Sequence, residues 1–199
     1  MFCHNDAGAA RIHPGSLSVG LAAAVVIDLY SQQRVALEPA GLVRNPFGQS
    51  TTDPITESAF ASLRHSHHPV PLNVWMRGFA QSGIYERVQA NLNAVGILRR
   101  QSRVLRSDAY VPVDTVWSVR IHGYLRSVLN RREKPDWQCV ALAGLIVALG
   151  VHDHLYLIDN GLDVHNGLRR LVSLIDQQVQ DITTAAAHVV GDIAVAVYR

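Results

Sequence analysis

The sequence predicts a mainly α protein, a compact single helical domain over residues 1–199 with two small β-hairpins. Hydrophobic residues make up 48% of the chain and charged residues 17%, so there is enough apolar surface to form a core. Most of the apolar residues fall in helix-like segments, whereas only two pairs of short extended runs flank a turn. The 14 glycines and 8 prolines lie mainly at the boundaries between these segments.

The chain first forms an apolar helix over residues 16–32, for which Ser16 is the predicted N-cap. Its wide apolar face is typical of a helix near the centre of a core. Two short extended runs follow, Arg34 to Leu37 and Leu42 to Arg44. The proline and glycine between them indicate a turn, so these runs are predicted to pair as a first β-hairpin.

The clearest helix boundary lies at Asp53 and Pro54. Aspartate is a favourable N-cap and proline fits the first helical position, so a helix is predicted from here to about Arg64. The proline and histidine residues of 65–72 predict a loop. A further helix then begins near Asn73, with aromatic and methionine residues on its buried side.

Glycines mark the approach to the second hairpin. Gly83 separates the preceding helix from one predicted over Ile84 to Val95, and Gly96 provides a left-handed C-terminal stop. The sequence GILRRQSRVLRSDAYVPVD then predicts two short strands around a polar tip. A helix, a glycine and a basic strand-turn-strand also resemble the wing of a winged-helix module.

The rest of the chain is predicted to be helical. Asp114 is expected to cap a helix that ends at Asn130, and Asp136 to cap a helix over Trp137 to Gly150. Further helical segments are predicted at about 154–159, 166–178 and 181–198.

Composition limits the function classes. The formal net charge is only +2, so any basic surface that binds a partner must be local, and a dedicated nucleic-acid coat is not expected. Seventeen of the 18 basic residues are arginine, a residue suited to bidentate contacts with phosphate or carboxylate.

The expected location is the cytoplasm. Cys3 and Cys139 are too few for a disulfide framework or a thiolate metal site, which is typical of a reduced compartment. Met1 to Gly15 has no charged segment followed by an apolar run, so no secretory signal is expected. The most apolar windows, Leu21 to Tyr30 and Val140 to Val151, are shorter than the roughly 20 residues of a membrane-spanning helix.

No catalytic, cofactor or metal site is expected. His65, His67 and His68 share one loop, but no carboxylate or thiolate stands near them at a useful spacing. The sequence contains neither the GxSxG motif of a hydrolase nor a glycine cradle for nucleotide phosphates. A denser cluster matches no metal motif and is interpreted as a solvated loop; its members are His152, Asp153, His154, Asp159, Asp163 and His165.

The second hairpin carries the most informative residues. Its arginines are Arg99, Arg100, Arg103 and Arg106. Val104 and Leu105 lie at its tip, and Arg87 lies on the preceding helix. Such a hairpin can rest on an anionic bilayer, with its guanidinium groups at the phosphates and its aliphatic residues among the headgroups.

Three other interpretations of this hairpin stay open. Its arginines can form a solvated face paired with Glu86 or Asp108. The hairpin can be a wing that grips DNA phosphate, although the helix before it has few cations for reading bases. The apolar tip and exposed tryptophans can also serve a homo-oligomeric adaptor that binds other proteins.

Five segments, in order, resemble the Golgi phosphoprotein 3 family, including its bacterial members, over roughly residues 5–199. GLAAAVVIDLYSQQRVAL resembles that family's central apolar helix and first strand, with Asp28 and Arg34 at its acidic and basic positions. STTDPITESAFASL and YERVQANLNAVGILRR resemble two of its later helices. SDAYVPVD is similar to its second hairpin strand, and KPDWQCVALAGLIVALGVHDHL to its late hydrophobic helices. The family's opening helix has no counterpart in this sequence.

The resemblance implies a mostly helical, non-enzymatic peripheral membrane protein that binds phosphatidylinositol 4-phosphate in a shallow basic pocket. It also implies a hairpin for membrane insertion and self-association, and a client membrane protein as a partner. Where the eukaryotic family presents a tryptophan and three arginines to the lipid phosphate, an ungapped register places His13, Ala22, Ser82 and Tyr85. The phosphate-binding side chains are therefore replaced, and other cations such as Arg11, Arg77 or Arg87 would have to act in their place.

Overall fold

The fold is mainly helical, as predicted. The computed structural model describes residues 3–4, 10–45, 51–63, 66, 68–101, 109–154 and 164–197. Within these residues there are eight α-helices and two antiparallel two-stranded sheets, and 64% of the residues are helical.

The chain divides into two compact units, each containing one hairpin. The first-hairpin unit comprises Gly15–Tyr85 and Asp176–Arg199, and the second-hairpin unit comprises Met1–Pro14 and Glu86–Ile175. The expectation of one domain over residues 1–199 stays a prediction.

Helix α1 (Pro14–Ser31) is the central helix of the first-hairpin unit. It begins two residues before the predicted start, and Ser16 is a buried residue inside the helix, so its prediction as N-cap was wrong. Pro14 opens the helix because a proline ring already has the helical φ angle and needs no hydrogen-bond acceptor there. Along the helix, Val19, Ala22 and other small apolar residues are fully buried.

The length of α1 corrects a second expectation. Among the helices of the described residues, α1 is the one that is long and apolar enough, by length and composition, to cross a membrane. It has 18 residues and a mean hydropathy of 1.4. The sequence window of Leu21 to Tyr30 missed this because it excluded the apolar residues before Leu21. Of the α1 residues, 56% are buried inside the protein, a property shared with the core helices of many globular proteins.

Strands β1 (Val35–Glu38) and β2 (Gly41–Arg44) form the first hairpin as predicted. Leu42 exchanges two backbone hydrogen bonds with Val70, at 2.8 and 3.0 Å, so the loop after the next helix is attached to the edge of this hairpin. Gly41 has a φ of 135°, and a Cβ there would overlap the carbonyl group of Val70. Only glycine fits this close backbone approach.

Three further helices complete the first-hairpin unit. Helix α2 (Pro54–Ser62) begins as predicted: the Asp53 carboxylate accepts a 2.7 Å bond from the backbone N–H of Thr56, a normal N-cap. Helix α3 (Leu72–Gln81) packs against the C-terminal helix α8 (Gln177–Val197).

The second-hairpin unit contains most of helix α4 (Ile84–Ala94), which leads into strands β3 (Leu98–Gln101) and β4 (Ala109–Pro112). Helix α5 (Val116–Leu129) follows, with Thr115 as its N-cap residue. Asp114 was predicted as this cap, but its carboxylate accepts the N–H of Val116 instead, only two residues ahead.

Helix α6 (Trp137–Ala148) begins as predicted, because the Asp136 carboxylate accepts the N–H of Cys139 at 2.7 Å. A short 3₁₀ turn follows at His152–His154, and most of the helix predicted at about 154–159 lies outside the described residues. Helix α7 (Val164–Val172) then packs against α6 and α5.

The predicted helix at 166–178 is in fact divided. Helix α7 ends at Val172, and α8 begins at Gln177. The carboxylate of Asp176 accepts the N–H of Val179 at 2.9 Å, so this residue starts a new helix. The prediction was wrong because the apolar pattern continues across the break and hides the capping residue.

Two contacts fix α7 to the end of α5. A Cβ on Gly167 would lie 2.8 Å from Cδ2 of Leu129, so the α7 backbone lies directly against this side chain. The guanidinium of Arg170 donates to the carbonyl oxygens of Val128 and Leu129 at 3.4 and 3.3 Å. A cation at the C-terminal end of α5 also interacts favourably with the helix dipole.

Candidate functional site

The second hairpin begins at a sharp helix stop. Gly96 has the predicted left-handed conformation, with a φ of 75°, and its N–H bonds to the carbonyl oxygen of Asn93 at 3.1 Å. The N–H of Ile97 bonds back to the carbonyl oxygen of Leu92 at 2.9 Å. These two bonds form a Schellman-type cap, which turns the chain from α4 into β3 over three residues, 95–97.

Two of the predicted lipid-binding arginines lie side by side in β3. Arg99 is opposite Val111 and Arg100 is opposite Tyr110, and both arginines are exposed. Since successive residues of a strand point to opposite faces, these two guanidinium groups extend from the two faces of the hairpin rather than from one. The backbone N–H of Arg100 donates to the side-chain oxygen of Asn93 at 3.2 Å, which holds β3 to the end of α4.

The other predicted residues of this site lie on α4 or outside the described residues. Arg87 lies half-buried on α4, next to the exposed Glu86. Of the hairpin tip, Arg103, Val104, Leu105 and Arg106 lie outside the described residues, as does Asp108, which was considered as an acidic partner.

Cations continue beyond the hairpin into α5. Described residues 95–101 and 109–132 contain one acidic side chain, Asp114, against a larger set of arginines. That set comprises six exposed residues, Arg99, Arg100, Arg120, Arg126, Arg131 and Arg132. The sequence pattern indicated the hairpin arginines and Arg87, whereas the excess of positive charge extends into α5.

Exposed hydrophobic residues occupy the same segment. Twelve large hydrophobic side chains are exposed among the described residues, and seven of them lie between Val95 and Ile121. These seven are Val95, Ile97, Val113, Val116, Trp117, Val119 and Ile121. The sequence contained a signal for them, since VWSVRI does not keep its apolar residues on one helix face.

The four family pocket positions do not offer a phosphate site. Ala22 is fully buried in α1, so it presents no group to a surface ligand. Ser82 ends α3, and its hydroxyl donates to the carbonyl oxygen of Phe79 at 2.7 Å. Tyr85 is half-buried on α4, and His13 is exposed just before α1.

The cations considered as substitutes have protein partners. The guanidinium of Arg11 donates to the carbonyl oxygen of His4 at 3.1 Å, and Arg77 forms a 2.6 Å ion pair with Asp192. The Arg77 pair is exposed, so it is screened by salt and contributes little to stability.

Arg34, at the basic position of the family, is buried and held by neighbouring side chains. It is 3% exposed and forms two hydrogen bonds, 2.7 and 3.1 Å long, with the Glu57 carboxylate. Its guanidinium also lies 3.9 Å from the ring centre of Phe60. The Arg34 guanidinium makes two hydrogen bonds to Glu57 and stacks on Phe60, so it holds the first hairpin to α2.

The cysteines are poor nucleophiles. Burial, with a smaller contribution from the Asp136 charge, raises the pKa of the Cys139 thiol to about 11, and burial also raises the pKa of Cys3. Both thiols are therefore protonated at neutral pH, whereas the thiolate is the reactive form.

The histidine clusters form no metal centre within the described part of the chain. His152 lies 3.5 Å from the carboxylate of Asp153, and its ring centre is 5.5 Å from that of His165. Other members of the two predicted clusters, including His65, His67, Asp159 and Asp163, lie outside the described residues.

Comparison with known proteins places the chain in a family. None of the curated proteins matches it well enough to count as a relative. The family model described as Golgi phosphoprotein 3 (GPP34) matches residues 1–191, nearly the whole chain, which confirms the resemblance seen in the sequence. The chain therefore belongs to the Golgi phosphoprotein 3 family.

Proposed function

We propose that this protein is a non-enzymatic, cytoplasmic protein that binds peripherally to anionic membranes through the second hairpin and the adjoining helix. The observation that carries the proposal is the set of six exposed arginines against one acidic residue in 95–101 and 109–132. Family membership supports it, since the family resemblance implies phosphoinositide binding. The hairpin tip residues Arg103, Val104, Leu105 and Arg106, and Arg87 on α4, are included as contacts in this proposal.

The expected affinity is modest and depends on salt. Each cation near an anionic bilayer contributes about 1 kcal/mol, and this contribution falls off within a Debye length. Because Arg99 and Arg100 extend from opposite faces of the hairpin, one of them faces a given bilayer surface and contributes about 1 kcal/mol, or roughly a fivefold difference in partitioning. At about 1 M salt, where the Debye length is about 3 Å, most of the binding should be lost.

Vesicle sedimentation tests this proposal. We expect the wild-type protein to sediment with phosphatidylserine or cardiolipin vesicles at low salt and to remain in the supernatant with phosphatidylcholine alone. The double variant Arg99→Ala, Arg100→Ala should bind roughly fivefold more weakly. A matched control, Arg77→Ala with Arg169→Ala, removes the same charge from α3 and α7. Equal binding by both double variants, or no binding by the wild type, would refute the proposal.

Headgroup selectivity is a separate prediction. The family resemblance implies phosphatidylinositol 4-phosphate, but Ala22 is buried and the Ser82 hydroxyl already donates to a backbone carbonyl. We therefore propose that charge density, rather than headgroup identity, sets the affinity. Vesicles of equal total charge that contain phosphatidylserine, cardiolipin or phosphatidylinositol 4-phosphate should bind within about threefold of one another. A tenfold preference for the phosphoinositide would contradict this and indicate a specific pocket.

DNA binding, self-association and binding of a client membrane protein are each tested by a separate measurement. DNA binding through the hairpin predicts a steep salt dependence in an electrophoretic shift on random duplex. We expect no shift at physiological salt, since α4 exposes Glu86 where a recognition helix would carry cations. Light scattering at several concentrations addresses a homo-oligomer, and a client membrane protein would be sought by reconstitution into the same vesicles.

A further inference from the structure

Helix α5 carries exposed apolar residues in its N-terminal half. Val116, Trp117 and Val119 are 63, 55 and 68% exposed, although side chains of these types are usually buried. Toward the C-terminal end of the helix, Leu125, Val128 and Leu129 are buried. The helix is therefore packed normally at its C-terminal end while its N-terminal half carries apolar residues on the exposed side.

The two valines lie on one face of the helix. Val116 and Val119 are three residues apart and Gly123 follows four residues later, so all three share one face. Gly123 is exposed, and a Cβ added to it would meet nothing within 4 Å. Arg120 is also exposed and lies between Val116 and Trp117 around the helix. Trp117 lies about 100° around the helix from Val116, on the other side of Arg120. We call the broad arc formed by Val116, Trp117, Val119 and Gly123 the outward face of α5.

We infer that the outward face of α5 is a second bilayer contact, lying at the boundary between the headgroups and acyl chains of an anionic membrane. This inference rests on the proposed function and extends it from the hairpin arginines to a separate apolar surface. Amphipathic helices at this boundary combine tryptophan and aliphatic residues with arginines that reach the phosphates. Trp117 and Arg120 provide both parts of that pattern.

Charge favours a bilayer over a second copy of the chain. The exposed apolar residues are accompanied by Arg120 and Arg126 on the same helix and by Arg99 and Arg100 on β3. In a twofold symmetric dimer the same patch occurs on both partners, so these cations would be brought against each other. Like charges facing each other across an interface disfavour association, whereas an anionic lipid surface complements them.

The sharpest test is a charge placed at Gly123. Gly123→Glu and Gly123→Gln add side chains of nearly equal size into open space, and both residues are better helix formers than glycine. If the outward face lies against anionic lipid, the glutamate variant should bind phosphatidylserine vesicles at least about fivefold more weakly than the glutamine variant. As a matched control, Val74→Glu and Val74→Gln on the exposed side of α3 should differ by less than about twofold.

A spectroscopic measurement reports contact directly. Brominated lipids quench tryptophan fluorescence only at short range, and the three tryptophans differ in exposure: Trp117 is 55%, Trp137 40% and Trp75 7% exposed. We expect wild-type fluorescence to be quenched on binding and the Trp117→Phe variant to lose most of that quenching. The conservative replacement of an exposed side chain should leave the fold unchanged.

The outcomes separate the inference from the proposed function. If the wild type does not sediment with anionic vesicles, the proposed function fails, and the inference fails with it. If the wild type binds but the two Gly123 variants bind equally and Trp117 is not quenched, only the inference is overturned. If Gly123→Glu instead converts an oligomer to a monomer in the absence of vesicles, the outward face is a self-association surface and the inference is likewise overturned.

Discussion

The two hairpins of this protein have the same strand lengths and opposite environments. In the first, Arg34 is buried at the base of β1 and paired with Glu57, and Leu42 is 2% exposed. In the second, Arg99 and Arg100 are exposed on β3. The same residue type is therefore part of the core in one hairpin and faces solvent in the other. Position relative to a packed helix, rather than local sequence, decides which role an arginine has.

The largest expected difference between the hairpins is in the cost of losing an arginine. Arg34→Ala leaves the Glu57 carboxylate without its bidentate partner and Phe60 without its stacked cation, so we expect a loss of about 3 kcal/mol in the free energy of unfolding. Arg99→Ala should change it by less than about 0.5 kcal/mol. Urea denaturation followed by circular dichroism measures both values.

A double-mutant cycle with Glu57→Ala controls for this result. If the ion pair is responsible, the double variant should be less destabilised than the sum of the two single variants. Similar stability losses for Arg34→Ala and Arg99→Ala would break the contrast between the hairpins.

The next largest difference concerns the glycines that lead into β2 and β3. Gly41→Ala forces a Cβ into the Val70 carbonyl at a φ of 135°, so we expect a loss of about 3 kcal/mol or a failure to fold. Gly96→Ala meets only the left-handed backbone penalty of about 1 to 2 kcal/mol, because the space around Gly96 is open. Thermal unfolding of the two variants shows which of them loses more stability. A greater loss for Gly96→Ala would contradict this prediction.

Smaller effects are expected at the aspartates that precede the helices after each hairpin. Asp53 caps α2 through the N–H and the hydroxyl of Thr56, so Asp53→Ala should cost about 1 to 2 kcal/mol. Asp114 is exposed and is not the N-cap of α5, so Asp114→Ala should cost less than about 0.5 kcal/mol. Parallel urea titrations compare them, with Asp53→Asn as the variant that retains a capping oxygen. Equal losses for the two alanine variants would be inconsistent with this assignment.

The smallest expected effect concerns Asp28, near the end of α1. Burial, and next the charge of Asp53, raise the pKa of the Asp28 carboxyl above its usual value. Because this pKa is higher in the folded state than in the unfolded state, the contribution of Asp28 to stability falls as the pH rises through the range between the two pKa values. Asp28→Asn should therefore stabilise the protein slightly, by less than about 0.5 kcal/mol, at pH 7. The gain should disappear below about pH 3, where the carboxyl is protonated in both states. A gain that persists at that pH would show that charge is not its cause.

Local signals in the sequence predicted most of the fold. Asp53, Asp136 and Gly96 were placed correctly because each acts on its own neighbours, through a side-chain cap or a left-handed turn. The break before α8 was predicted too late in the chain, between 178 and 181, because the apolar pattern runs across its true position and Asp176 alone marks it.

The candidate site was less predictable. The sequence indicated a basic second hairpin, but strand geometry puts Arg99 and Arg100 on opposite faces. The exposure of Val116, Trp117 and Val119 was missed, since a run of apolar residues normally predicts burial and only the packing of the chain shows which side is uncovered. The roles of the tip residues stay predictions.

The contact between Gly167 and Leu129 gives α7 an influence over a surface that it does not form. An alanine at position 167 would require the Leu129 side chain to turn, in a place where that leucine is only 3% exposed. The same end of α5 is held by Arg170, which donates to the carbonyl oxygens of Val128 and Leu129. A side chain larger than that of glycine at position 167 would therefore disturb the packing of the helix that carries Trp117.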